Sequence, residues 1–236
     1  MLEKITSLIH RQPEQKSELL ASSDKYCLRK GLEKLYQNLE ERGNKQLPQV
    51  FFFPETAGRL LIYAVRPVLE RVYEDRSLDV PPIVVINTPK QGQVKNSEEG
   101  ALQRNLSAQV HKAVSINKLD GLERVMVIDD DVYRGRTLKF LQKAFNDLDE
   151  EIEVENFVFL AGYGGTPANT IVGNPGIPSP ETAQIFTQKN ETVTGVNKDS
   201  GSVKFGVEKS NKRDPEKMQS IRQELETLGQ SVVEEI

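Results

Sequence analysis

The stretch VMVIDDDVYRGRTL, from Val125 to Leu138, constrains the fold more than any other part of the chain. Val125, Met126, Val127 and Ile128 form an unbroken apolar run, the pattern of a strand buried on both faces of a parallel sheet. The run stops at three carboxylates, Asp129, Asp130 and Asp131. From Thr137 onward Leu138, Leu141, Phe145 and Leu148 recur at helical spacing, with Lys139, Gln142, Lys143, Asn146 and Asp147 on the opposite side. The acids and the turn after them are therefore expected between the carboxyl end of a strand and the amino end of a helix. Open α/β sheets bind ligands at that place.

The turn Arg134-Gly135-Arg136-Thr137 brings together backbone N–H groups, a hydroxyl and two guanidinium groups at the positive end of a helix dipole. Those are the parts of a phosphate cradle. Gly135 permits a positive φ or a close approach of phosphate to the backbone, and Thr137 can cap the helix or donate to a phosphate oxygen. Ionised Asp129 and Asp130 only accept hydrogen bonds, which suits a ligand rich in hydroxyls or a hydrated divalent cation. A sugar phosphate satisfies both halves.

Four apolar residues, an acid pair, four further residues, Gly, any residue and Thr resemble the phosphoribosyl-diphosphate (PRPP) signature of the type I phosphoribosyltransferases. That resemblance implies that Asp129 and Asp130, the catalytic acids of the family motif, hold the ribose hydroxyls. It implies that Tyr133, Arg134, Gly135, Arg136 and Thr137 wrap the 5-phosphate. The position after the pair is usually apolar and here is Asp131, so a second register remains open. In it Asp130 and Asp131 are the pair and the loop is one residue shorter.

Composition bounds the rest. A chain of 236 residues can bury a proper core. Its net charge of −4 with both signs scattered gives no support to nucleic-acid or membrane binding. One cysteine, Cys27, excludes an intrachain disulfide and, with only two histidines, makes a conventional zinc site improbable. A reducing cytoplasm is the expected compartment. The opening MLEKITSLIH has the character of no signal peptide, and no stretch reaches transmembrane length.

Three segments are expected. Residues 1–46 read as a helical N-terminal extension whose stripe of Leu28, Leu32, Leu35 and Leu39 must cover an apolar surface. Residues 47–168 read as the phosphoribosyltransferase-like α/β core, an open and mainly parallel sheet flanked by helices. Within it Val50 to Phe53 form a first strand that breaks at Pro54. A loop, Glu55 to Arg59, then leads into a helix bent or divided by Pro67. Ile83 to Ile86 form a second buried strand, residues 101–113 a helix, and Val154 to Leu160 a further strand. Residues 169–236 read as a variable region: an extended loop to Pro180, a hairpin over 192–207, and a helix opened by Asp214 and Pro215. The apolar spacing of that last helix suits docking or the pairing of subunits in a homo-oligomer.

By the same resemblance Thr56, Ala57, Gly58 and Arg59 stand where the family holds pyrophosphate, although adjacent glycines are usual there and only Gly58 is present. Lys90, Lys95 and Arg104 are the candidates for the basic residue of a mobile loop, and Tyr163 for the acceptor side. The function implied is transfer of ribose 5-phosphate from PRPP to a nitrogenous base or other small nitrogen acceptor, with Mg²⁺ serving the diphosphate and no direct protein ligand for the metal assigned. The alternative is a regulatory protein of the same fold that binds PRPP or a nucleotide without turnover.

Overall fold

The structure, a computed structural model, describes residues 20, 22–87, 99–119, 121–132, 135–161, 166–174 and 215–236. Five described strands, β1 (Val50–Pro54), β2 (Ile83–Ile86), β3 (Arg124–Val132), β4 (Glu153–Ala161) and β5 (Thr170–Asn174), form one sheet in the order β2-β1-β3-β4-β5. All four pairings are parallel. Among the described residues five α-helices accompany them: α1 (Ser22–Glu40), α2 (Glu55–Glu74), α3 (Glu99–Ile116), α4 (Arg136–Leu148) and α5 (Pro215–Glu235).

Strand alternation divides the apolar residues between two helical layers. Phe51, Phe53, Met126, Ile128, Phe157 and Phe159 face one side and pack with α1, α2 and α5. Val50, Phe52, Val125, Val127, Val154 and Val158 face the other and pack with α3 and α4. Phe52 meets Phe145 of α4 edge to face, with ring centroids 4.8 Å apart. Such double coverage lets the central strands carry apolar residues at successive positions.

The leucine stripe Leu28, Leu32, Leu35 and Leu39 is covered by the sheet itself, so α1 belongs to the same apolar cluster as α2. Its last carbonyls, those of Leu39 and Glu40, accept from Arg76 at 3.2 and 2.8 Å. An arginine from just beyond α2 thus performs the capping that the end of a helix requires. Cys27 lies buried beside Asp24, and His111 is exposed; His10 lies outside the described residues.

Several local expectations change. β2 is an edge of the described sheet, so Ile83, Val84 and Val85 are half-buried rather than fully enclosed. Pro67 does not end α2, which runs unbroken to Glu74. The segment expected as loop from 169 contains β5, because β-branched Thr170, Ile171 and Val172 pair with Asn156, Phe157 and Val158 of β4. The expected hairpin over 192–207, and Asp214, lie outside the described residues. The C-terminal helix is docked within the chain: Ile221, Leu225 and Val232 are buried in the α1–α2 cluster.

Candidate functional site

The chain passes from β1 to its neighbour β2 and then crosses back over β1 to β3, so its winding reverses between β1 and β3. The two crossover helices consequently lie on opposite faces, α2 on one and α3 on the other. A crevice is expected beyond the carboxyl ends of strands at such a reversal. The ladders show where it opens. β1 stays paired with β2 through Pro54↔Ile86, and β3 with β4 through Val132↔Ala161. Between β1 and β3 the pairing ends at Phe52↔Val127. Beyond that rung the sheet parts.

Asp129 and Asp130 lie on the β3 side of the opening, two and three residues past the last rung. The sequence placed them after the strand, but β3 extends to Val132 and includes all three acids. The reason is backbone pairing: β4 continues alongside, and the ladder is indifferent to the charge of side chains at a free end of the sheet. By alternation Asp129 follows Val127 toward the α4 layer and Asp130 follows Ile128 toward the α2 layer. Asp129 is buried and Asp130 half-buried. An Asp129 Oδ1 atom accepts from the backbone N–H of Asp130 at 3.0 Å, which fixes the first carboxylate against the strand. The backbone of Asp131 belongs to β3; its side chain lies outside the description.

Gly135 occupies the N-cap of α4 in a left-handed conformation, φ 63° and ψ 11°, and is buried. Its side-chain-free position makes no side-chain cap bond, while its carbonyl already accepts from Lys139 N–H at 3.0 Å. The helix therefore begins at Arg136, one residue earlier than its apolar spacing suggested. A helix amino end, with its N–H groups and the positive end of the dipole, is a place where anions bind. Arg136 stands in the first turn of α4, and its Nη1 lies 3.7 Å from Oε1 of Glu99, the first residue of α3. Thr137 is half-buried in the same turn. Tyr133 and Arg134 lie outside the described residues.

Across the opening, the loop expected at Thr56, Ala57, Gly58 and Arg59 is not a loop. Pro54 is at once the last residue of β1 and the N-cap of α2, so these four residues form the first turns of the helix. Proline there is geometrically natural, with φ −60° and ψ 136°. The side chains of 56–59 lie outside the description. A second helix amino end therefore faces the same crevice as that of α4.

Arg104 is exposed on α3. Lys90, Lys95 and Tyr163 lie outside the described residues. The chain just before this segment is pinned: Gln109 of α3 accepts from Asn87 N–H and donates to Asn87 C=O, each at 3.1 Å, as a neighbouring strand would. Neither Gln109 nor Glu99 was a candidate from sequence, because a glutamine on an amphipathic helix and a glutamate at the end of a polar stretch look like any solvated polar residue. Among the described residues no group of three or more His, Cys, Asp or Glu side chains is gathered to hold a metal ion, and no helix is long and apolar enough to cross a membrane. Compared with models of known protein families and with curated proteins, the chain matches none.

Proposed function

We propose that the chain is a phosphoribosyltransferase of the type I kind, moving ribose 5-phosphate from PRPP to a small nitrogen acceptor and releasing pyrophosphate. The observation that carries this reading is the parting of the sheet between β1 and β3, with Asp129 and Asp130 on one lip and the glycine-capped amino end of α4 following them. Hydroxyl acceptors and a phosphate-binding helix end a few residues apart match the two ends of a ribose 5-phosphate.

The demands of the reaction agree with these parts. Breaking the C1–O bond develops positive charge on the ribose and negative charge on the departing pyrophosphate. In this reading the Asp129 and Asp130 carboxylates hold the ribose hydroxyls and stabilise the cationic sugar. Gly135, Arg136 and Thr137 fix the 5-phosphate, and the amino end of α2 faces the diphosphate. Mg²⁺ would supply charge neutralisation of that leaving group. It is usually held by one or two carboxylates together with substrate phosphates, and Asp129 and Asp130 bring carboxylates to this opening.

A second reading keeps the ligand and removes the turnover. It is favoured by the direct passage from β1 into α2, which leaves no glycine loop to enclose pyrophosphate. Calorimetric titration with PRPP and Mg²⁺, beside a pyrophosphate-release assay over a panel of bases, separates the two. Binding with release supports the transferase; binding without release on every base supports a PRPP-binding regulator. Asp130→Asn is expected to weaken PRPP binding by about 1–3 kcal/mol, the scale of hydrogen bonds to a charged group. If Asp131→Asn shows the loss instead, the acid pair is one residue later.

A further inference from the structure

Arg136, at the amino end of α4, already has an anion beside it. The Glu99 carboxylate lies 3.7 Å away, and both side chains are somewhat more than a third exposed, at 38% and 39%. This proximity follows from how the helices pack. Ser107 of α3 donates to Asp147 of α4 at 2.9 Å and Gln103 donates to the Phe140 carbonyl at 3.3 Å, so the two helices run side by side with their first residues adjacent. The N-cap Gly135 has no side chain to cap α4, and an acid from the neighbouring helix approaches its first turn.

We propose that Glu99 is an internal counter-anion that weakens the hold of this site on the phosphate of its ligand, acting through Arg136. The inference rests on the sugar-phosphate reading above. An arriving phosphate must take the guanidinium from Glu99 or share it, and it meets the repulsion of the carboxylate in doing so. Such tempering has a use in the proposed reaction. The 5-phosphate is carried unchanged from substrate to product, so tighter binding of it stabilises every state alike, adds nothing to the chemical step and slows product departure. Glu99 is thus a positioning residue that sets affinity, without contact to the reacting atoms.

The test is calorimetric titration of ribose 5-phosphate into wild type, Glu99→Gln, Glu99→Asp, Arg136→Gln and the Glu99→Gln/Arg136→Gln double variant, each checked for an unchanged thermal melt. Removing the charge with Glu99→Gln is expected to tighten binding about threefold, within the range of an exposed ion pair. Glu99→Asp, which keeps the charge, stays near wild type. In the Arg136→Gln background the gain disappears. A merely structural role predicts the opposite sign, since loss of a support weakens the site. Ribose 5-phosphate binding that Glu99→Gln leaves unchanged or weakens, or a gain that survives without Arg136, overturns the inference and leaves the sugar-phosphate reading standing. No binding of ribose 5-phosphate or PRPP to either wild type or Glu99→Gln overturns both.

Discussion

Gly135 shows what one residue contributes to the candidate site. Its φ of 63° brings β3 into α4 with a buried turn, and an L side chain in that region costs about 1–2 kcal/mol. Gly135→Ala is therefore expected to lower the melting temperature by about 2–4 °C per kcal/mol lost for a chain of this size. It should also weaken phosphate binding, because the first turn of α4 must shift; paired thermal melts and ribose 5-phosphate titrations check both. Tyr73 carries a different residue-scale consequence. Its hydroxyl donates to the Pro48 carbonyl at 2.6 Å, and burial pushes its pKa far above the ordinary 10.0, with Arg42 and Arg76 opposing in part. Above pH 10 an unfolded chain releases this proton while the folded chain keeps it, so the unfolded state binds fewer protons and stability falls as pH rises. Below that pH the contribution is complete. Urea unfolding from about pH 9 to about pH 11 should show a decline that Tyr73→Phe reduces. The glycine was recognisable from its place in the turn. The tyrosine was not, because its carbonyl partner belongs to a segment 25 residues away.

At the scale of elements, α1 is the case where spacing revealed the face but not the depth of contact. The leucine stripe identified which side is buried. The closeness comes from Gly31: a Cβ there would lie 2.1 Å from Cδ1 of Phe159, and one on Gly173 of β5 would lie 2.8 Å from the Gly31 Cα. Phe159 is fully buried and cannot swing away. Gly31→Ala should destabilise by about 1–3 kcal/mol through overpacking. Chemical denaturation measures the loss, and hydrogen exchange should rise first in α1 and β5. No cost, with unchanged exchange, would mean that α1 sits farther from the sheet. β5 itself was hidden in the sequence for a related reason. Thr170 to Asn174 is a short segment among glycines, prolines and asparagines, and it becomes a strand only because β4 offers a free edge. β4 also carries Asn156, fully buried, whose side-chain amide finds no partner among the described residues, beside the Thr170 hydroxyl, which finds none among them either. No pattern in an apolar strand announces such a pair.

For the molecule as a whole, the C-terminal helix is part of the frame that holds the crevice. Ile221, Leu225 and Val232 of α5 are buried, and Gly229 brings the helix against Ala64 and Pro67 of α2. Burial of each such side chain stabilises by about 1.5–3 kcal/mol, against a total margin of about 5–15 kcal/mol for a typical domain. Truncation after residue 214 is accordingly expected to abolish cooperative unfolding, and with it ligand binding. A truncated chain that melts sharply and still binds would show α5 to be an appendage. The sequence by itself determined the α/β class, the strand–acid–turn–helix unit around Asp129 and the apolar faces of the main helices, because each depends on periodicity or on turn chemistry within a few residues. Tertiary structure alone decided the order of the strands, the parting of β1 from β3, the fusion of β1 with α2 and the meeting of Glu99 with Arg136. These depend on which distant segments pair and pack, and a local pattern of residues holds no record of its partner across the sheet.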